Sequence, residues 1–406
     1  MLKRITLENF FSFGEPTTIE LNSDINILVG INGSGKSNFL KALRLLHESV
    51  VGEGFEKVFL QEWGGFNNVV NVSTSKKDYI KLSYIFSYRS IQPNKRELEV
   101  DPIEVEYTVV IYPAGQTSYF FDEKLRIYKE DDNVYNHIFI DVKNNVGKLV
   151  MLTGANAVRG ELVNYPNENL GVMPTFSSTE LVLRQISNST NLYAFLKQSI
   201  EGLANYNYFN TSPKSLIRQP SIFGTEEKLL PTGENLNAII QKLKNQYSLE
   251  YEKIENLLRD INPQFKDITF NLFGSKSYLL LREKRLANAI SIEHLSNGTL
   301  NYLLLLAIFF NPKRGKVVCI DEPETSLHPD MINTIADAIK EASSGTQLFI
   351  ATHSPLLLNA FELDDLLIFE KDEKNQTKVM KRDDEAFEGM LLGQLWLNGQ
   401  IGGKRW

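Results

Sequence analysis

The segment Gly30-Ile-Asn-Gly33-Ser-Gly35-Lys36-Ser37 constrains this chain more than any other. It follows an apolar run, INILVG (25–30), and opens SNFLKALRLLHESV, where Phe39, Leu40, Leu43 and Leu46 recur at helical spacing. Strand, glycine loop and helix in that order make a phosphate cradle. The glycines let successive backbone N–H groups turn toward a phosphate, and the helix start adds its positive end. Asn32, Gly33, Ser34 and Gly35 are the candidate cradle, Lys36 the candidate to reach the β- and γ-oxygens, and Ser37 a candidate Mg²⁺ ligand.

Such a loop needs a parallel sheet behind it, and 406 residues leave room for two or three lobes. Hydrophobic residues at 42% and charged ones at 23% are ordinary globular values, which excludes disorder and fibrous repeats. The one cysteine, Cys319, excludes a disulfide framework and a thiolate zinc cluster, and its place inside an apolar run reads as packing. MLKRITLENF lacks the apolar core of a signal peptide. The most apolar stretch, LNYLLLLAIFF (300–310), is too short to span a bilayer and reads as a buried helix. A cytoplasmic protein without a membrane partner is the expectation. The net charge of −7 gives no global attraction to nucleic acid, though it leaves room for a confined basic groove.

Residues 2–8 and 17–21 predict two short strands around FSFGEP. Between 79 and 150, YIKLSYIFSY, PIEVEYTVVIY, YFFDEKLRIY and HIFIDVK predict an antiparallel β-meander with turns at 113–116 and 144–147. Residues 151–177 show no steady period, and from 178 the apolar spacing turns helical, breaks at a turn-rich bridge (210–233) and resumes up to Pro263. ITFNLFG and SYLLLR (268–282) return to a strand pattern. KVVCID (316–321), MINTIADAIKEA (331–342), TQLFIAT (346–352) and DDLLIFEKD then alternate strand and helix, as a sheet covered on both faces requires. The expected fold class is α/β with α+β accessory parts. A split nucleotide domain would comprise 1–150, with loop and meander, and 291–375, with a mostly helical insertion at 151–290 between them and a tail at 376–406.

Val317-Val318-Cys319-Ile320-Asp321-Glu322 places two carboxylates at the end of a buried strand. Asp321 is the candidate to hold Mg²⁺ through water, and Glu322 the candidate base for an attacking water. Leu295-Ser296-Asn297-Gly298-Thr299 leads into the apolar helix 26 residues upstream of Asp321, and Ala351-Thr352-His353-Ser354 ends the next apolar strand.

With these motifs in this order, the chain resembles the ABC-type ATPases, in the branch of SMC-like and RecF-like proteins. The resemblance implies that Ser296 and Gly298 act in a signature motif, although Asn297 replaces its first glycine and Thr299 its glutamine. In that family the signature crosses a dimer interface to the γ-phosphate held by the other subunit, and a histidine in the place of His353 senses that phosphate. The run Glu322-Pro323-Glu324-Thr325-Ser326-Leu327-His328-Pro329 resembles the RecF-like and OLD-like predicted ATPases without a fused nuclease. It stands where the family places a D-loop, so Glu324 and Ser326 are candidates for contacts across subunits, and His328 is either an interface residue or part of the switch. Gln61 is the candidate glutamine-loop residue facing Mg²⁺ and water. Arg4, Phe11 and Phe13 match the family's opening near adenine and ribose, with core packing as the alternative for the two aromatics.

The resemblance implies a Mg²⁺-dependent ATPase in which a homodimer, or a higher homo-oligomer, sandwiches ATP. The output expected is a sensor or scaffold that regulates a separate effector, a nuclease or toxin, in prokaryotic anti-phage defence. A RecF-like ATPase binding double-stranded DNA for repair or maintenance is the alternative. An ATP-dependent nuclease subunit is a further one, and the 53 residues after His353 are too few for the TOPRIM domain of OLD-like nucleases.

Overall fold

The computed structural model describes residues 1–73, 78–88, 103–115, 118–129, 132–144, 146–149, 176–186, 191–222, 224–274, 276–382, 387 and 389–402. The strands are β1 (Leu2–Glu8), β2 (Thr17–Glu20), β3 (Ile25–Val29), β4 (Ile80–Ser87), β5 (Ile103–Pro113), β6 (Tyr119–Lys129), β7 (Asp132–Lys143), β8 (Val146–Leu149) and β9 (Leu203–Tyr206). They continue as β10 (Ser221–Ile222), β11 (Phe265–Phe273), β12 (Lys276–Glu283), β13 (Ile290–Ser291), β14 (Val317–Asp321), β15 (Gln347–Ala351), β16 (Leu366–Lys371) and β17 (Thr377–Met380). The α-helices are α1 (Lys36–Val50), α2 (Phe66–Val69), α3 (Val182–Gln185), α4 (Asn191–Glu201), α5 (Leu236–Gln246), α6 (Ser248–Ile261), α7 (Asn297–Phe309), α8 (Pro329–Ser343), α9 (Pro355–Leu358) and α10 (Leu392–Leu397). Among the described residues no helix is long and apolar enough to cross a membrane.

The chain forms two compact units, each assembled from three stretches of sequence. The first comprises Met1–Ser23, Gly30–Leu203 and Ile368–Lys381. Its seven-stranded sheet runs β2-β1-β4-β5-β6-β7-β8, so the opening hairpin and the meander share one antiparallel layer. Alternation sets its faces: along β5, Val105, Tyr107, Val109 and Ile111 are buried, and Tyr107 pairs with Tyr84 on one side and Leu125 on the other. Helix α1 buries Phe39, Leu40, Leu43 and Leu46, and the Tyr84 hydroxyl donates to Ala42 O at 2.8 Å. Residues Ile368–Lys371 of β16 pair antiparallel with β17 in this unit.

The second unit comprises Asp24–Val29, Ala204–Leu367 and Arg382–Trp406. Its parallel ladder joins β3 to β15 and β15 to β14. The apolar residues of these strands are buried, as a parallel sheet covered on both faces requires. Register puts Leu28 opposite Ala351, and Ala351 opposite Asp321, so the carboxyl ends of the three strands share one edge. Helix α7 packs against α5, α6 and α8 and is buried from Leu300 to Phe309, which explains an apolar sequence without a polar stripe. A second antiparallel sheet, β10-β12-β11 with β13 on β12, completes the unit.

Candidate active site

Gly30 follows the last residue of β3, and the loop from it is shaped by backbone rather than side chains. Gly35 has φ +116°, and a Cβ there would lie 2.3 Å from Thr377 Oγ1 and 2.8 Å from Ser12 Oγ, so only glycine fits. The Thr377 hydroxyl in turn lies 2.7 Å from both Ser34 O and Ser12 Oγ. Lys36 is buried, and its ammonium donates to Gly30 O at 2.7 Å and Ile31 O at 3.3 Å, which holds its charge inside the loop. No side chain caps α1 and no acidic residue stands in its first turn, so the helix presents its N–H groups and positive end to an anion. Asn32, Gly33 and Ser37 are exposed there, while Ser34 and Gly35 are buried.

The acidic edge uses different means. Asp321 ends β14 half-buried. Glu322, the next residue, adopts φ +52°, a left-handed conformation that costs a non-glycine residue about 1–3 kcal/mol. Its N–H donates to Ala351 O at 2.8 Å, and its carboxylate points to solvent, with Oε1 3.7 Å from His353 Nε2. Glu324 turns inward: its Oε1 accepts from the Thr352 hydroxyl at 2.6 Å and from the His353 N–H at 2.8 Å. Burial raises this carboxyl above its ordinary value despite the hydrogen bonds it accepts. Glu324, a candidate for contacts across subunits, is held within its own chain by these two donors to Oε1. The His353 ring also meets the Trp396 ring edge-on at 6.3 Å.

The signature turn is rigid and outward-facing. The Ser296 side chain caps α7 by accepting from Thr299 N at 3.1 Å, and Ser296 and Asn297 are exposed. A Cβ on Gly298 would lie 2.7 Å from Ser326 O, so glycine permits the close approach of this turn to residue 326. Asn301 Nδ2 donates to Thr325 O at 3.1 Å, a second tie between the same elements. Ser326 is exposed, with φ +65°. A cavity of about 440 Å³ opens beside the acidic turn, lined by Phe209, Asn301, Leu305, Ile320, Asp321 and Glu322 among others.

Arg218 is the residue that no motif announced. Buried, it donates to the carbonyls of Ile292, Glu293 and Leu295 at 2.8–3.0 Å, to Asn297 Oδ1 at 2.9 Å and to Thr211 O at 2.9 Å. It clamps the signature turn from a short 3-10 helix, Leu216–Arg218, 77 residues upstream of Leu295. Gln61 lies exposed in a π-helical turn, Lys57–Glu62, a geometry frequent at functional sites. His328 caps α8, accepting from Asp330 N at 3.3 Å. Phe13 is core, whereas Phe11 is half-exposed with the Lys41 ammonium 4.2 Å from its ring centre. Arg4 pairs with the buried Glu104. Cys319 is fully buried and burial raises its thiol, as packing requires. The basic end of the tail at 376–406, Lys404 and Arg405, lies outside the described residues.

A glycine-shaped loop that opens an uncapped helix is the anion cradle of a phosphate-loop nucleotide-binding protein. The AAA ATPase domain model, AAA_15, matches residues 1–358. The fold is similar to that of an Smc head solved with the C-winged helix domain of ScpA, with TM-score 0.55 and 15% identity over 95% of this chain and 99% of that one. The chain is 21% identical to an ATP/GTP phosphatase of Helicobacter pylori over 95% of its own length and 94% of the relative's. It is 25% identical to the endonuclease GajA of Bacillus cereus over 89% of its length and 56% of GajA's. A chromosome partition protein Smc of Halothermothrix orenii is 30% identical over 33% of this chain, which spans 10% of that relative. The chain belongs to the AAA ATPase domain family, a family of nucleotide-binding ATPases.

Proposed function

We propose that the chain works as a nucleotide-sandwich dimer whose cycle regulates a separate effector, a nuclease or toxin, in cytoplasmic anti-phage defence. The observation that carries the dimer is the signature turn: Ser296 and Asn297 are exposed, yet the turn is fixed by the α7 cap and by Arg218. A preorganised turn that faces solvent is suited to another subunit's nucleotide. In this reading Asn32, Gly33, Ser34, Gly35, Lys36 and Ser37 bind the phosphates, Glu322 orients the attacking water, His353 senses the γ-phosphate, and the partner copy supplies Ser296 and Gly298.

Ser37 offers an exposed hydroxyl and Asp321 a half-buried carboxylate. These are hard oxygen donors of the kind Mg²⁺ takes together with water, and the bound ion would neutralise phosphate charge. Gln61 is assigned to the same ion's water shell. Functionally, 1–150 and 291–375 form the nucleotide lobes, 151–290 the lever that carries the cycle to the effector, and 376–406 a docking tail. GajA, an endonuclease by name, supports a nuclease-linked pathway.

Mixing two defective variants tests the reading. Ser296→Arg keeps its own Glu322 but spoils the signature, and Glu322→Gln does the reverse. In a sandwich the mixture restores one intact site, so turnover is expected to exceed either variant alone by at least about tenfold, given the 10²–10⁴-fold worth of a general base. A mixture no faster than its components contradicts the sandwich. Turnover raised by double-stranded DNA would favour a RecF-like clamp over the effector regulator.

A further inference from the structure

We infer that Glu324 is a positioning residue for His353, and through it the link between the D-loop and the chain's own γ-phosphate sensor. The inference rests on the reading of His353 given above and adds what holds that histidine in place.

The acidic turn after β14 and the turn after β15 are stitched together at adjacent points. Glu322 N–H reaches Ala351 O, and Glu324 Oε1 takes both the Thr352 hydroxyl and the His353 N–H. Thr352 Oγ1 accepts in turn from Ser354 N at 3.0 Å, so one carboxylate oxygen organises three consecutive residues around the histidine. Thr352 is fully buried and its N–H donates to Leu28 O at 3.1 Å, which anchors the far side of the network to β3. The second carboxylate oxygen, Oε2, is buried with no partner among the described residues. A side chain needed only for stability has little reason to bury an unpaired carboxylate oxygen.

The same short turn also carries the signature contacts. Thr325 O accepts from Asn301, and Ser326 O approaches Gly298 too closely for any other residue. Within residues 324–326, then, one side chain holds the sensor and two backbone carbonyls hold the signature helix. A shift of the signature turn on meeting another subunit's nucleotide would reach His353 through Glu324. The inward turn of Glu324 thus places a contact between subunits and a response within one subunit on a single rigid segment.

The test compares variants by steady-state turnover and by titration with a fluorescent ATP analogue. Glu324→Ala deletes the acceptor. It should lower kcat by about ten- to a hundredfold, the cost of roughly an ångström of misplacement, with analogue affinity within about twofold of wild type. Glu324→Gln keeps an acceptor oxygen for both donors and should recover most of kcat. Thr352→Val removes one of the two donors and should cost less than Glu324→Ala. Should Glu324→Ala fail to fold, the Gln and Thr352→Val variants decide the matter between them.

His353→Ala separates the two levels of the claim. If His353→Ala turns over normally, the sensor reading itself fails. If it is slow while Glu324→Ala is normal, only the positioning role is lost. The combined Glu324→Ala, His353→Ala variant should be no slower than His353→Ala alone, because residues acting through one another do not add. Wild-type turnover in Glu324→Ala, a Gln variant as slow as the Ala one, or additive losses would each overturn the inference.

Discussion

The phosphate loop and the acidic turn both hold polar groups at the end of a parallel strand, but with opposite chemistry. The loop relies on missing side chains: Gly35 leaves no room for a Cβ, and the only charge held within it is Lys36, bound to backbone carbonyls. The turn relies on side chains in costly places, with Glu322 and Ser326 in left-handed backbone and the Glu324 carboxylate turned inward. A backbone device is specified locally, residue by residue. A side-chain device depends on partners that arrive from elsewhere in the chain.

The largest effect should come from the loop. Gly35→Ala forces a Cβ to 2.3 Å from Thr377 Oγ1 at φ +116°, and should weaken ATP-analogue binding at least about a hundredfold in a fluorescence titration. Near-normal affinity would mean that the loop tolerates a side chain and that the contrast is false. Arg218→Met tests the other device, because it removes donors to four oxygens at the signature turn and to Thr211 O. Urea unfolding should show a loss of about 2–4 kcal/mol, with turnover reduced and analogue binding preserved. A stability change under about 0.5 kcal/mol would remove Arg218 from the account.

A smaller effect tests whether buried carboxylates elsewhere behave alike. Glu123 is fully buried and accepts from Tyr107 OH at 2.8 Å and from the N–H groups of Val182 and Leu183 at 2.5 and 2.7 Å. Burial outweighs these donors and pushes its carboxyl up to about 7. The folded chain therefore binds this proton more tightly than the unfolded chain. Its contribution to stability is full below about 4.5 and is lost as pH rises toward about 7. Glu123→Gln should flatten that slope in urea titrations at pH 5 and pH 8, at a cost of about 1–3 kcal/mol for a misplaced donor. An unchanged slope would show that the three donors, not burial, decide its ionisation. Least of all, His328→Ala should cost about 1 kcal/mol of stability through the lost α8 cap, with little change in turnover.

What the sequence discloses follows the same contrast. Gly30 to Ser37, the apolar strands ending at Val29, Asp321 and Ala351, and the buried helix at 300–310 were all legible, because glycine spacing and hydrophobic runs are local signals. The meander was legible from alternation, but its union with the opening hairpin was not, since that pairing joins β1 to β4 across more than seventy residues. Arg218 lies in a turn-rich stretch with no period and becomes meaningful only when residues 292–297 come to it. Glu324 was visible as an acidic residue, but its direction was not, because Thr352 and the His353 N–H that turn it inward belong to the next strand's end.

The central claim is that ATP joins two copies of this chain. Solution mass by light scattering, on Glu322→Gln with ATP and Mg²⁺, tests it most directly, since that variant should bind ATP and hydrolyse it slowly. The account predicts a monomer without nucleotide and a stable species of twice the mass with it. A monomer under both conditions, with ATP bound, would contradict it.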